Sequence, residues 1–226
     1  MPVEAIIFDL DGTIVHFNLD YKTLRSEARS YLIRTGIPTS LVDVNESIFE
    51  MMKKAEIFLK NSGKPTETFD DVRSQVLIIA EKYEMEAAST TNLQVGAIET
   101  LKELKQMNVK IGLCTTSSEK AVNFIIKRFK IQDFFQVVVP RDKVKYVKPS
   151  TEQIEVALKA LGVSPQSAAI VGDSIVDMQS ARDLKAVAVG LPTGMSTLEQ
   201  LKNNGANYII TSLTDLPVLM KEINKD

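Results

Sequence analysis

The chain is poor in the residues that mark several large classes of protein. Cys114 is its one cysteine, so no internal disulfide can form and a disulfide-stapled fold is excluded. His16 is its one histidine, which leaves no histidine metal centre and no histidine-based triad. No apolar run approaches the roughly 20 residues of a membrane span, so no membrane partner is expected. The formal net charge is −2, without the basic excess that nucleic-acid binding calls for. The opening Met1-Pro2-Val3-Glu4 puts no cationic stretch ahead of an apolar one, so no secretory signal is expected. A reducing, cytoplasmic setting fits these absences. There is no internal repeat, Walker loop, dinucleotide fingerprint or Cys-x-x-Cys pair. What remains is a chain of 226 residues, 44% hydrophobic and 25% charged like an ordinary soluble protein, with room for one large domain or two small ones.

The apolar run Ala5-Ile6-Ile7-Phe8 predicts a buried first strand over about residues 3–8. Residues 20–86 then read as helices: Tyr21 to Thr35 with Gly36 as its stop, about Leu41 to Leu59, and about Phe69 to Met85. After residue 90 the pattern changes. Strands near 109–114, 135–139, 168–171, 186–189 and 208–210 alternate with helices near 97–107, 118–129, 151–161, 175–184 and 214–223. Such alternation implies a parallel sheet with helices on both faces, and the first strand, equally apolar, belongs to it. The expected fold is α/β: a Rossmann-like core of residues 1–15 and 91–226 with an inserted α-helical cap of residues 16–90.

Ligands of open α/β sheets bind beyond the carboxyl ends of the strands, so the residues just after each strand carry the chemistry. Asp9 and Asp11 follow the first strand in Phe8-Asp9-Leu10-Asp11-Gly12-Thr13. Thr115, Thr116, Ser117 and Ser118 follow the second. Pro140-Arg141-Asp142 and then Lys148-Pro149 follow the third, and Gly172-Asp173-Ser174, with Asp177 one turn later, follows the fourth. Each has a plainer reading by itself: an Asp-Gly turn, an N-cap by Ser117 or Ser118, a solvated lysine ahead of a helix. Together they converge. Clustered carboxylates are strongly unfavourable unless neutralised, and Mg²⁺, with its oxygen ligands, suits that charge. Thr115 and Lys148 add a hydroxyl and a positive charge for an anion, of which phosphate is the natural candidate.

These motifs, in this order, resemble those of the haloacid dehalogenase superfamily, in its phosphatase branch with a helical cap: Asp9-x-Asp11-Gly12-Thr13, Thr115, Lys148-Pro149, and Gly172-Asp173-x-x-x-Asp177. The resemblance implies that Asp9 is the nucleophile and forms an aspartyl-phosphate. It implies that Asp11 is the acid and base, and that Mg²⁺ is held by Asp9, by the backbone carbonyl of Asp11 and by Asp173. Asp177 is implied to hold a metal-bound water. Thr115 and the N–H of Thr116 grip the phosphoryl oxygens, and Lys148 offsets charge on Asp9 and the phosphoryl group. The expected activity is Mg²⁺-dependent hydrolysis of a small phosphorylated metabolite by a monomer or homodimer. A sugar phosphomutase using the same site is the alternative. A phospho-accepting signalling receiver fits less well, because a large insertion follows Asp9 and no output domain is present. A dehalogenase fits less well because an acid stands at position 11. Thr116 replaces a frequent asparagine, Val95-Gly96 the usual Pro-Gly, and Lys148-Pro149-Ser150-Thr151 lacks a second proline. These departures leave the subfamily, phosphoglycolate phosphatase or another, open.

The cap is expected to exclude water and select substrate, moving on hinges near residues 14–18 and 87–95. Its cations are Lys22, Arg25, Arg29, Lys53, Lys54, Lys60, Lys64, Arg73 and Lys82, most of them expected on solvated helix faces. Met51-Met52 is expected in the cap core, His16 in a structural role near the first hinge, and Cys114 as a small buried hydrophobe.

Overall fold

The computed structural model describes residues 2–16, 18–63 and 65–225. In chain order, β1 (Ala5–Phe8) is followed by three helices, α1 (Tyr21–Arg34), α2 (Ile48–Asn61) and α3 (Thr66–Thr90). Then come α4 (Ala97–Gln106), β2 (Lys110–Cys114), α5 (Glu119–Arg128), β3 (Val137–Val139), α6 (Glu152–Leu161), β4 (Ala168–Gly172), α7 (Ile175–Leu184), β5 (Val187–Gly190), α8 (Leu198–Asn203), β6 (Tyr208–Ile209) and α9 (Leu216–Ile223). The chain divides into two compact units, residues 1–18 with 90–226, and residues 19–89. Among the described residues no helix is long and apolar enough to cross a membrane.

The first unit is a Rossmann-like α/β fold. Its six strands run parallel in the order β3-β2-β1-β4-β5-β6. Every residue of β1 is buried, because successive side chains point to opposite faces and both faces are covered. Ala5 and Ile7 join Ile154, Leu158, Met178 and Ala181 in a core formed with α6 and α7. Ile6 and Phe8 point the other way and are equally buried. The register decides where the chemistry goes. Phe8 pairs with Leu113 on one side and Val171 on the other, so β1, β2 and β4 end nearly level. The strand order also reverses at β1, and the crevice at such a switch point is where these sheets bind ligands.

The helical unit has its own apolar core, built from Leu24, Ala28 and Leu32 of α1, Met51 and Ala55 of α2, and Val76 of α3. The Met51-Met52 pair lies in that core, as expected. Several boundaries differ from the sequence expectation. The second helix begins at Ile48 rather than near Leu41, because Ser47 and Glu50 cap it reciprocally at 3.1 Å in each direction. Thr39–Leu41 is instead a short 3₁₀ turn, and Val42 is extended and buried. The third helix runs on to Thr90, well past Met85. The short α8 had no expectation at all; Thr197 and Gln200 cap it as Ser47 and Glu50 cap α2.

Candidate active site

Asp9 leaves the tip of β1 with its N–H donating to the Val171 carbonyl at 2.9 Å, which fixes it between β1 and β4. Its Oδ1 accepts from Lys148 Nζ at 2.6 Å. The same ammonium donates to Asp177 Oδ1 at 2.6 Å and to the Cys114 carbonyl at 2.9 Å. An ammonium has three donors, and all three are used. Lys148 is only 5% exposed, so this is a buried charge with a complete set of partners. Asp177 is wholly buried on the first turn of α7, where its Oδ2 accepts from the Ser174 N–H at 3.2 Å.

Asp173 is fixed from several sides. Oδ2 accepts from the Met195 N–H at 2.9 Å and Oδ1 from the Thr13 hydroxyl at 3.3 Å. Gly12 has a φ of +88°, and a Cβ there would fall 2.6 Å from the Asp173 carboxyl. A Cβ on Gly194 would also overlap that carboxyl. Backbone without side chains therefore surrounds this carboxylate, which explains the need for glycine at both positions.

Carboxylate oxygens of Asp9, Asp173 and Asp177 all lie within 4.8 Å of one another. One ammonium facing three carboxylates leaves negative charge in excess, and the acid strengths record it. Burial pushes the Asp173 carboxyl up to about 7, with the charge of Asp177 adding to it, while the Met195 N–H and Lys148 oppose. Burial likewise holds Asp9 well above the usual carboxylate range; Lys148 opposes, and Asp177, Asp173 and Asp11 add to the rise. Burial works against the charge on Lys148, but Asp177 and Asp9 outweigh it and its acidity is lowered further. Burial is the larger cause for both carboxyls and the neighbouring carboxylates add to it, so a proton or a cation is favoured in the cluster. A divalent cation that prefers hard oxygen ligands matches this donor set, so the residues present fit a bound metal.

Asp11 stands apart from that cluster. Its Oδ2 accepts from the Ser117 hydroxyl at 2.6 Å. Of the two serines weighed as helix caps, Ser118 caps α5 by accepting from the Ala121 N–H at 3.3 Å, while Ser117 reaches across to β1. Thr115 is fully buried, and its hydroxyl accepts from the Ser117 N–H at 3.1 Å. The carbonyl of Thr116 accepts from Arg141 at 3.3 Å. The structure thus brings Asp9, Lys148, Asp173 and Asp177 into direct or near contact. Asp11, beyond β1, and Thr115, beyond β2, are joined to each other through Ser117. Sequence reasoning did not anticipate the Met195 N–H or Gln153, nor the bonds that Ser117 and Thr13 make, although both of these residues lie in the quoted motifs.

The residues set aside in the sequence behave plainly. Cys114 is buried, its thiol donates to the Gln153 carbonyl at 3.4 Å, and burial pushes it up to about 12. Such a thiol is not a nucleophile at neutral pH. His16 is exposed, and its backbone joins the two linker segments: its N–H donates to the Asn92 carbonyl at 2.8 Å and its carbonyl accepts from the Thr91 hydroxyl at 2.7 Å. In the helical unit Arg25 and Arg29 hold the carbonyls of Asn45 and Val42. Lys54, Lys60 and Lys82 pair with Glu46, Glu56 and Glu27. Lys22 and Lys53 are exposed, Arg73 is half-buried, and Lys64 lies outside the described residues.

Comparison with known proteins places this geometry in a family. The chain is 28% identical to the pyrophosphatase PpaX of Bacillus cereus (strain AH820), covering all of both chains. A hydrolase from Pseudomonas syringae superposes with a TM-score of 0.67 at 25% identity, covering 97% of this chain and 99% of that one. A predicted phosphoglycolate phosphatase from Haemophilus somnus 129pt shares the fold with a TM-score of 0.64 at 20% identity, covering 96% and 97%. The profile of haloacid dehalogenase-like hydrolases matches residues 6–191, a span that holds every group of the cluster. The chain is therefore an enzyme that belongs to the haloacid dehalogenase-like hydrolases.

Proposed function

We propose that this chain is a Mg²⁺-dependent phosphatase that hydrolyses a small phosphorylated substrate through an aspartyl-phosphate on Asp9. The observation that carries the reading is the buried Lys148 ammonium, shared by Asp9 and Asp177 beside Asp173. Such an arrangement holds a carboxylate nucleophile in place while leaving a charge deficit for a cation to fill. In the first step a carboxylate oxygen of Asp9 bonds to phosphorus, the bond from phosphorus to the leaving oxygen breaks, and Asp11 gives that oxygen a proton. In the second step water bonds to phosphorus and gives a proton to Asp11, the Asp9–phosphorus bond breaks, and inorganic phosphate departs. The 2.6 Å bond from Ser117 holds the Asp11 carboxyl ready for both transfers. Thr115, the N–H of Thr116 and Lys148 are assigned to the phosphoryl oxygens, where positioning and charge supply most of the rate. Asp9, Asp173 and the Asp11 carbonyl are assigned to the metal, with Asp177 adding a carboxylate close enough to join them. When bound, the metal neutralises charge on the phosphoryl group and the cluster. The helical unit, inserted downstream of Asp11, is assigned to substrate selection as a cap.

The test is phosphate release from pyrophosphate, included because the Bacillus relatives are named for it, and from a panel of small phosphoesters. Release that requires Mg²⁺ is the expected result. No release from any compound, or equal release after chelation, counts against the reading. Conversion of a sugar monophosphate that needs a bisphosphate and frees little phosphate indicates a phosphomutase instead.

A further inference from the structure

Gln153 is wholly buried on the first turn of α6, a position with no apparent task in the chemistry. A buried amide without partners is costly, and this one has them all. Nε2 donates to the Thr115 carbonyl at 2.8 Å and to the Val139 carbonyl at 3.1 Å. Oε1 accepts from the Lys148 N–H at 3.2 Å. Its backbone carbonyl accepts from the Cys114 thiol at 3.4 Å. One side chain therefore joins the end of β2, the end of β3 and the loop that carries Lys148. The ends of β2 and β3 are already paired in the sheet, and the amide ties the Lys148 loop to both of them.

Resting on the phosphatase reading above, we infer that Gln153 is a positioning residue for phosphoryl transfer. It sets the Thr115 turn and the Lys148 ammonium in mutual register through the backbone groups beside each. Thr115 and Lys148 are assigned to the same phosphoryl group but come from different segments. Without the amide, Thr115 keeps its backbone bond to Val139 and the Lys148 ammonium keeps Asp9, Asp177 and the Cys114 carbonyl, but the Lys148 backbone loses its tie to the ends of β2 and β3. Displacing reacting groups by about 1 Å can cost on the order of a hundredfold in rate.

The experiment replaces Gln153 by Met, which keeps the length and removes both donors and the acceptor. Leu158→Ala, a buried apolar position on the same helix, serves as the control for instability alone. Steady-state kinetics are run well below both melting temperatures, together with amide hydrogen exchange at Lys148. The expected result is a kcat lowered about tenfold or more, a KM within about threefold, and faster exchange at Lys148, with Leu158→Ala within about twofold of wild type. Should Gln153→Met not fold, Gln153→Glu keeps the acceptor for Lys148 and loses the donor pair; its kcat should fall while the Lys148 amide stays protected. A folded Gln153→Met with wild-type kcat, unchanged exchange at Lys148 in that variant, or an equal loss in the control overturns the inference. Failure of both Gln153 variants to fold does so too, by assigning the residue to the fold alone. A wild type that releases no phosphate overturns the phosphatase reading and this inference with it; an active wild type beside an equally active Gln153→Met overturns the inference only.

Discussion

The two units of the chain treat charge in opposite ways. Among the described residues, Glu84 is the one charged or polar side chain that the helical unit buries. The α/β unit buries Asp9, Arg141, Lys148, Asp173 and Asp177, four of them in one cluster at the strand ends. In the helical unit the ion pairs lie at the surface, such as Lys60 with Glu56 at 2.7 Å, where solvent screens them and each contributes about 0–1 kcal/mol. The Lys148 pairs have the same lengths but almost no solvent. The first pattern is what a stable helix bundle needs. The second costs stability, and such clusters are a mark of functional sites.

The comparison breaks first at Asp9. Asp9→Asn should lower turnover by at least about a thousandfold, since Asp9 is the carboxylate proposed to take the phosphoryl group. The variant should fold as well as wild type, because removing one of three crowded acids relieves repulsion. Phosphate-release assays alongside thermal melts check both halves, and near-wild-type turnover would end the nucleophile assignment. Next comes a matched pair. Lys148→Met should cost about 3–5 kcal/mol, because it leaves Asp9 and Asp177 facing each other with no cation. Lys60→Met should cost at most about 1 kcal/mol. Urea titration of both variants in chelator measures the difference; equal midpoints would mean that burial does not separate the two kinds of pair.

How much of this was legible follows from the same contrast. The strand-tip rule places Asp9 and Asp173 together because β1 and β4 are short apolar runs, and the parallel register aligns their ends. The helices of the other unit were legible from their apolar periodicity, but the start of α2 was not. The run from Leu41 looks helical, and only the reciprocal cap at Ser47 and Glu50 decides otherwise. The supporting groups were hidden for a different reason. Ser117 and Gln153 act on partners 106 residues away at Asp11 and 38 away at Thr115, and a serine before a helix or a glutamine in its first turn carries no mark of that. The task of Asp177 was only partly legible. Spacing puts it one turn after Asp173, but its contact with Lys148 depends on the packing of α7 against the Lys148 loop.

Acidity sharpens the contrast further. The Asp173 carboxyl is held up to about 7 in the fold, against about 3.9 for an unperturbed aspartate. Between those values the folded chain keeps a proton that the unfolded chain has lost, so its stabilising effect is complete below about pH 4 and fades as pH rises through 7. With the metal removed, melting temperature should therefore decline from pH 5 to pH 8, by an amount on the order of a few kcal/mol in stability. Asp173→Asn should flatten that decline while lowering activity. Adding Mg²⁺ at pH 8 should restore the melting temperature of wild type and do little for Asp173→Asn. A pH profile unchanged by the substitution would mean that Asp173 does not carry the charge excess.

The smallest expected effect lies in the helical unit and tests its side of the comparison. Ser47 caps α2 from a half-buried position, so Ser47→Ala removes the hydroxyl's bonds with the Glu50 N–H and carboxylate, keeps the bond from its own N–H, and uncovers no buried charge. Loss of such a cap costs about 1 kcal/mol. The change should show in a melt as a shift of a few degrees, and it should be the same in chelator and in Mg²⁺, because nothing near Ser47 titrates with the cluster. The catalytic constants should stay at wild-type values below the melting temperature. A Ser47→Ala whose stability depended on Mg²⁺ would contradict this picture, since it would tie the helical unit's packing to the very charges that its own core was built to do without.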